Sequence, residues 1–278
     1  MSDRFITRRA PTRRPMLVAY LFAAFLPLSA TPIAFAADMP MPTKVPPEAV
    51  YQWTGCYGGA NLGGGTSAPN FGSAVDPGTY LVGGDPATVA GSGSGSANAI
   101  GLVAGGQAGC NWQSGTLVLG LEGDFDWFRS NPNFNNNTNT LASGATFSIA
   151  QSVTTNYLAT VRPRIGIAAD RSLAYITGGV AFTSISYTES YSDTNAAPGP
   201  GAGSASASRS LIGWTAGAGW EYAFAEHWTA RAEYLIAGFP TATNATGTIV
   251  APGGLTNTLH GSADLFIQVL RAGVNFKF

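Results

Sequence analysis

The sequence predicts an all-β protein: a transmembrane, up-and-down antiparallel β-barrel of eight strands, preceded by a cleaved signal peptide and a Pro-rich N-terminal spacer. Three observations carry that prediction. Segments of the chain alternate apolar and polar residues with period two, the signature of a wall with one oily and one wet face. Short polar turns and long Gly-, Ser- and Asn-rich connections follow each other in strict succession, the asymmetry of a barrel whose two ends face different compartments. Only 10% of the 278 residues are charged, and no 20-residue apolar run occurs. That composition argues against a soluble enzyme and against a helical membrane protein.

The N-terminus reads as an export signal over residues 1–36. Arg4, Arg8, Arg9, Arg13 and Arg14 precede an apolar run at 16–28, and Ala34-Phe35-Ala36 forms an A-x-A cleavage site, so the mature chain is expected to start at Ala37. A retained anchor is disfavoured because the run is too short to span comfortably. Cleavage removes five of the 14 basic residues and Asp3 of the 15 acidic ones, leaving nine against fourteen. The resulting negative balance gives no reason to expect nucleic-acid binding. Residues 37–52 carry Pro40, Pro42, Pro46 and Pro47 and predict an extended periplasmic spacer with no core of its own.

The barrel is assigned to 53–278, with strands at 53–66, 97–112, 116–128, 154–168, 172–188, 209–224, 228–239 and 264–278. Turns at 113–115, 169–171 and 225–227 are short and polar, hence periplasmic. The four long connections, 67–96, 129–153, 189–208 and 240–263, are expected outside the cell. Their low-complexity patches at 91–96, 135–139 and 198–208 read as flexible surface with too little apolar area to order itself, or as surface that orders against an external ligand.

Period two also assigns the faces. The last strand sets Phe278, Phe276, Val274, Ala272, Leu270 and Phe266 against Lys277, Asn275, Gly273 and Arg271. Elsewhere Leu117, Leu119, Leu121, Phe125, Trp127, Tyr157, Val161, Trp214, Trp220 and Tyr234 face lipid. Glu122, Asp124, Asp126, Arg162, Arg164, Glu221, Arg231, Glu233 and Arg271 then face inward together. An Arg or Lys facing lipid at mid-depth costs about 2–4 kcal/mol, which is why the charges share one side. Opposite signs fall on neighbouring strands, Glu122 beside Arg162, Glu221 beside Arg231 and Glu233 beside Arg271. Eight strands enclose room only for side chains, so these groups are expected to fill the bore as a packed polar core. The aromatics sort into two interfacial belts: Trp53, Trp112, Tyr222, Phe224, Trp228, Phe276 and Phe278 at the short-turn end, and Trp127, Tyr157, Phe182 and Trp214 at the long-loop end.

Five stretches carry a family resemblance. They are 51–64 (YQWTGCYGGANLGG), 105–112 (GGQAGCNW), 159–166 (ATVRPRIG), 213–221 (GWTAGAGWE) and the ending 271–278 (RAGVNFKF). In this order they resemble the alphaproteobacterial outer-membrane immunogenic protein family, small porin-like barrels, across Trp53 to Phe278. The resemblance implies an eight-stranded outer-membrane barrel with surface-exposed antigenic loops and a mainly structural role. It carries no catalytic residues. Its implied partners are outer-membrane lipid and lipopolysaccharide, the barrel-assembly machinery through the strand ending at Phe278, and a host or surface ligand at the loops. Cys56 and Cys110 depart from it, standing where aromatic residues are expected. Both face outward on adjacent strands in an oxidising compartment, consistent with a cross-strand disulfide or with two lipid-facing thiols.

Other motifs give less. The Gly cluster at 58–65 lacks the strand–loop–helix context of a nucleotide site, and no cofactor is expected. His227 and His260 lie at opposite ends, so no zinc pattern forms with the two Cys. His260-Gly261-Ser262 is similar in spacing to outer-membrane lipid A deacylase barrels, but after Asp264 the strand lacks the carboxylate that chemistry needs. The sequence therefore points to a non-enzymatic barrel supporting envelope integrity. A small-solute diffusion porin is the alternative, with Asp124 and Asp126 as the residues to test for cation preference, and a lipid-modifying enzyme is a distant third.

Overall fold

The computed structural model describes residues 50–195 and 197–278, with side chains at all of these but 137, 138, 241 and 242. The predicted signal peptide and residues 37–49 of the spacer lie outside the described residues. In chain order the elements are β1 (Gly55–Ala68), β2 (Asn70–Val75), α1 (Asp85–Ser92), β3 (Gly95–Ser96), β4 (Ala99–Ser114), β5 (Leu117–Ser130) and β6 (Asn133–Thr140). Then come β7 (Thr146–Ala169), β8 (Ser172–Asp193), β9 (Ala202–Ala223), β10 (Trp228–Ala251), a 3-10 turn (Pro252–Gly254) and β11 (Leu255–Lys277).

These strands form one antiparallel sheet that closes on itself. The circuit runs β1-β4-β5-β7-β8-β9-β10-β11 and returns to β1 through pairs from Tyr57↔Lys277 to Ala68↔Phe266. Closure satisfies the backbone groups that an open edge would leave bare in hydrocarbon. Glycines let the wall pack where it is crowded: a Cβ on Gly63 would come within 2.2 Å of the Leu270 carbonyl oxygen across the seam. Two short turns show the local chemistry that makes them. Gly115 takes a φ of 62°, and Asp170 is the one non-glycine residue at positive φ among the described residues, a conformation Asp tolerates.

The expectation of eight strands undercounts the sheet, because the long connections are themselves largely strand. The eleven described strands include β2, which pairs with β11, β3, which pairs with β2, and β6, which pairs with β7. β7 to β11 run 22 to 24 residues each, about twice what a membrane crossing needs. On β11 the outward run from Phe276 to Phe266, apolar but for Gln268, spans about 25 Å along the barrel axis, the height of a lipid-facing band. Above it the same strand continues through Asp264, Ser262, His260, Thr258 and Thr256. Alternation survives a bulge: the β7–β8 register shifts between Thr155 and Leu158, so that both of these face inward although their numbers differ by three.

Candidate functional site

The bore is filled in three storeys, and each is built from inward positions of the wall. The lowest storey, at the short-turn end, is apolar: Tyr51 and Trp53 pack under the barrel against Val118, Leu173 and Tyr175. Trp53 is only 2% exposed. Its amide N–H donates to Gln113 Oε1 at 2.7 Å and its indole N–H to the Asp170 carbonyl at 3.4 Å. Trp53 is thus not a belt residue facing lipid, as alternation suggested, but a cork. The chain enters β1 through Gly55 at a φ of 139°, and the segment before it turns beneath the mouth instead of extending the strand. Tyr51, read as spacer, stacks edge-on against Trp53 at 5.0 Å and lies 4.4 Å below the Lys277 ammonium.

The middle storey holds the nine charges predicted to share the bore, four guanidiniums and five carboxylates, and each is buried. Arg162 is fully enclosed and reaches Glu122 and Asp124, each at 2.8 Å, and Glu233 at 3.2 Å. Arg271 meets Glu233 at 2.6 Å and Asp124 at 3.2 Å, and also pairs with Asp126. Arg231 bonds Glu122 at 2.5 Å, while Arg164 bonds Glu221 at 3.2 Å and Asn111 at 2.9 Å. The expected neighbours Glu122 and Arg162, and Glu233 and Arg271, do meet. Glu221 and Arg231 face each other in register but take other partners. The bore is narrow enough for Arg231 to cross from β10 to Glu122 on β5, so its charge goes to the opposite wall.

Neutral groups that alternation places inward complete this storey, although their type alone gave no reason to single them out. Tyr57 donates to Glu122 at 2.5 Å and Tyr175 to Glu233 at 3.1 Å, and the Arg164 guanidinium lies 4.8 Å and 5.1 Å from the centres of these two rings. Thr229 and Asn275 donate to Glu221, at 2.5 Å and 2.9 Å. Buried ion pairs repay their desolvation only as far as their remaining donors and acceptors are met; these partners meet part of that need, while Asp126 Oδ1, Arg162 Nε, Arg164 Nη2 and the Nε and Nη2 of Arg231 make no hydrogen bond.

The upper storey is apolar and comes largely from the segments predicted as long extracellular connections. Phe71 of β2 stacks on Phe134 of β6 at 6.0 Å and neighbours Tyr187 at 6.3 Å, while Leu81 and Val89 from the α1 region join Ile149 and Ile249 in one core. Two buried polar side chains fix the connecting backbone. Asn257 accepts the amides of Tyr80 and Leu81 at 3.1 and 2.7 Å and donates to the carbonyls of Asp76 and Leu81. Asp193 accepts from Tyr80 and Tyr191 hydroxyls and from the amides of Asn195 and Gly201. Burial, reinforced by that bond to Asp193, pushes the Tyr80 hydroxyl up to about 12. The low-complexity patches at 91–96, 135–139 and 198–208 lie on this cap, in α1 and β3, in β6, and in β9 with the turn before it. They are ordered because neighbouring apolar side chains supply the burial that they lack themselves.

Glu189 is fully buried in this cap among three neutral donors: Ser73 Oγ at 2.7 Å, Gln151 Nε2 at 3.1 Å and Tyr187 OH at 3.0 Å. Burial raises its carboxyl above the usual range, opposed only in part by those three bonds.

On the outer wall, Trp112, Trp127, Trp214, Trp220, Trp228, Phe276 and Phe278 are exposed, and Tyr157 is half-buried against Phe125 at 5.5 Å. Cys56 and Cys110 stand opposite each other on β1 and β4 and are joined, with an S–S distance of 2.02 Å. His260 and Ser262 both face outward but form no pair. His260 Nε2 lies 2.9 Å from Asp76 Oδ2 and Nδ1 3.3 Å from Thr246 Oγ1, whereas Ser262 donates to the Gly72 carbonyl at 3.3 Å. Among the described residues no group of three or more His, Cys, Asp or Glu is placed to hold a metal ion.

The family model described as the outer membrane protein beta-barrel domain matches residues 43–278. The chain is 30% identical over 227 residues to the 31 kDa outer-membrane immunogenic protein of Brucella melitensis, covering 80% of this chain and 85% of that one. It is 26% identical over 268 residues to the 25 kDa outer-membrane immunogenic protein of Brucella abortus, covering 92% and 95%. Among solved structures, the outer membrane protein OprG from Pseudomonas aeruginosa overlaps 82% of this chain and 99% of its own at 11% identity, with a TM-score of 0.37.

Proposed function

Given that the chain belongs to the outer membrane protein beta-barrel family, among the outer-membrane immunogenic proteins, we propose that it is a closed structural barrel that anchors a rigid surface cap in the outer membrane. The relatives bear the name of immunogenic outer-membrane proteins rather than of enzymes. The single observation that carries the reading is the filled bore. A diffusing solute would have to pass the Trp53 cork, a buried network of nine charges each ion-paired with another, and an apolar cap in succession. In this orientation the short turns and the 37–52 spacer lie in the periplasm and the extended end of the barrel stands outside. The protein contributes to envelope integrity by filling and stiffening the bilayer, and presents the cap to the exterior.

Planar-bilayer recording of the purified protein tests this against the diffusion porin. Rare or small openings are expected; large, steady openings would overturn the proposal. In that event Asp124→Asn and Asp126→Asn would be examined for a change in cation preference.

A further inference from the structure

Above the lipid-facing band the outward face of β8 and β9 is lined with hydroxyls, whereas β11 carries Asp264 and His260 at that level. On β8 and β9 the change occurs at one height. Phe182 pairs with Ile212, and one step up Ser184 pairs with Ser210. From there Ser186, Thr188 and Ser190 pair with Ser208, Ser206 and Ser204, and all six are exposed. The row through Ser204 continues sideways onto Thr248 of β10 and Thr258 of β11. Neighbouring strands lie about 4.8 Å apart and successive outward residues of one strand about 7 Å apart. The result is an array of hydroxyls on β8 and β9, joined to β10 along the Ser204–Thr248 row, each able both to donate and to accept. From Ser184 to Ser192 and from Ala202 to Ser210, no position of outward register carries a charge; Arg209, opposite Ile185 at an inward register position, is the one exposed charged side chain of the two stretches.

That lack of charge is the informative feature. A strand face exposed to bulk water, with a long neighbouring wall, is normally guarded by Lys, Glu or Asp. Here the face directly continues the apolar band on the same strands, where Ile176, Ile212 and Trp214 are exposed. The band fixes where the acyl chains end. What surrounds the barrel at the next level of an outer leaflet is the sugar of the lipids whose chains touch the band.

We propose that this hydroxyl array on β8, β9 and β10 is a contact surface for the sugar chains of the surrounding lipopolysaccharide. The inference rests on the outer-membrane reading above. Neutral polyhydroxylated chains match a neutral surface of paired donors and acceptors, and neither partner loses the hydration of a charge on contact. The neighbouring hydroxyls also orient one another, as at Ser186 and Ser208, whose Oγ atoms lie 3.0 Å apart.

The test titrates the detergent-solubilised full chain with lipopolysaccharide bearing its complete saccharide, with lipid A alone, and with the saccharide released from its lipid. The wild type is expected to bind the complete lipopolysaccharide about tenfold more tightly than lipid A. The triple variant Ser186→Asp, Thr188→Asp, Ser206→Asp should bring that ratio to about one while leaving lipid A binding and heat-modified gel mobility unchanged. If the saccharide makes no difference to the wild type, or the variant keeps the full ratio, the proposal fails. Released saccharide binding as tightly as the intact lipid would overturn the leaflet as its source. Bilayer conductance is read on the same preparations: large openings there would count against the closed barrel and leave the saccharide ratio to be judged by itself.

Discussion

Replacing Arg162 by Met is the perturbation that most directly probes the middle storey. Arg162 is fully buried and touches three carboxylates, so its loss removes three contacts of 2.8 to 3.2 Å and leaves three guanidiniums facing five carboxylates. Met fills much of the volume, which confines the effect to charge and hydrogen bonding. Breaking a buried pair by removing one partner costs about 3–5 kcal/mol, because the charge left behind is neither solvated nor matched. The expected loss is therefore about 3–5 kcal/mol in the urea unfolding of the barrel reconstituted in vesicles, followed by gel mobility and Trp fluorescence. Asp124→Asn in the Arg162→Met background should cost less than it does in the wild type, with a coupling of about 1–3 kcal/mol. The conductance of Arg162→Met should stay low, since the cork and the cap remain. A loss below about 1 kcal/mol, as for an exposed pair, would refute the reasoning and mean that water reaches the network.

Three further outcomes follow from the other storeys. Trp53→Ala should lower stability by about 3–5 kcal/mol, the usual cost of emptying a buried aromatic site, in the same unfolding assay, whereas a belt residue would lose far less. The Glu189 carboxyl, raised by burial, binds its proton more tightly in the folded cap than in the unfolded chain. Its contribution is therefore most favourable at and below the ordinary carboxylate range, declines as pH rises from there through the raised folded value, and is level above it. Glu189→Gln keeps a neutral hydrogen-bonding group and should remove this decline, making the cap more resistant to proteolysis at neutral pH; an unchanged pH profile would rule out the buried carboxyl as its source. Unreduced protein should show no alkylatable thiol by mass spectrometry, and Cys56→Ser with Cys110→Ser should cost about 2–4 kcal/mol.

Much of this architecture was written in the order of residues. Because lipid lies on one side of the wall and a crowded bore on the other, each strand residue had only two choices, and polarity chose between them. Alternation therefore set the facing of Leu119, Glu122, Arg162, Trp220 and Arg271 without knowledge of any contact. The cap is legible by the same rule only in part: the strand predicted at 172–188 already contains Ser184, Ser186 and Thr188 alternating with Ile185 and Tyr187, and the same alternation continues through Glu189, Ser190, Tyr191, Ser192 and Asp193, where the Ser-rich composition reads as a connection.

Alternation by itself determined the class of the protein, the direction in which most side chains point, and the segregation of charge from lipid, since each follows from local period and solvent. Which inward groups meet was decided only in three dimensions. Arg231 has Glu221 opposite it on the adjacent strand and still bonds Glu122 across the bore, because wall curvature and side-chain length, not register, set the distance. Trp53 is a cork because the chain turns inward ahead of β1, and Phe71 and Phe134 become core because β2, β6 and α1 close over one another. Both depend on segments distant in sequence burying each other's apolar surface, and no single stretch contains that information.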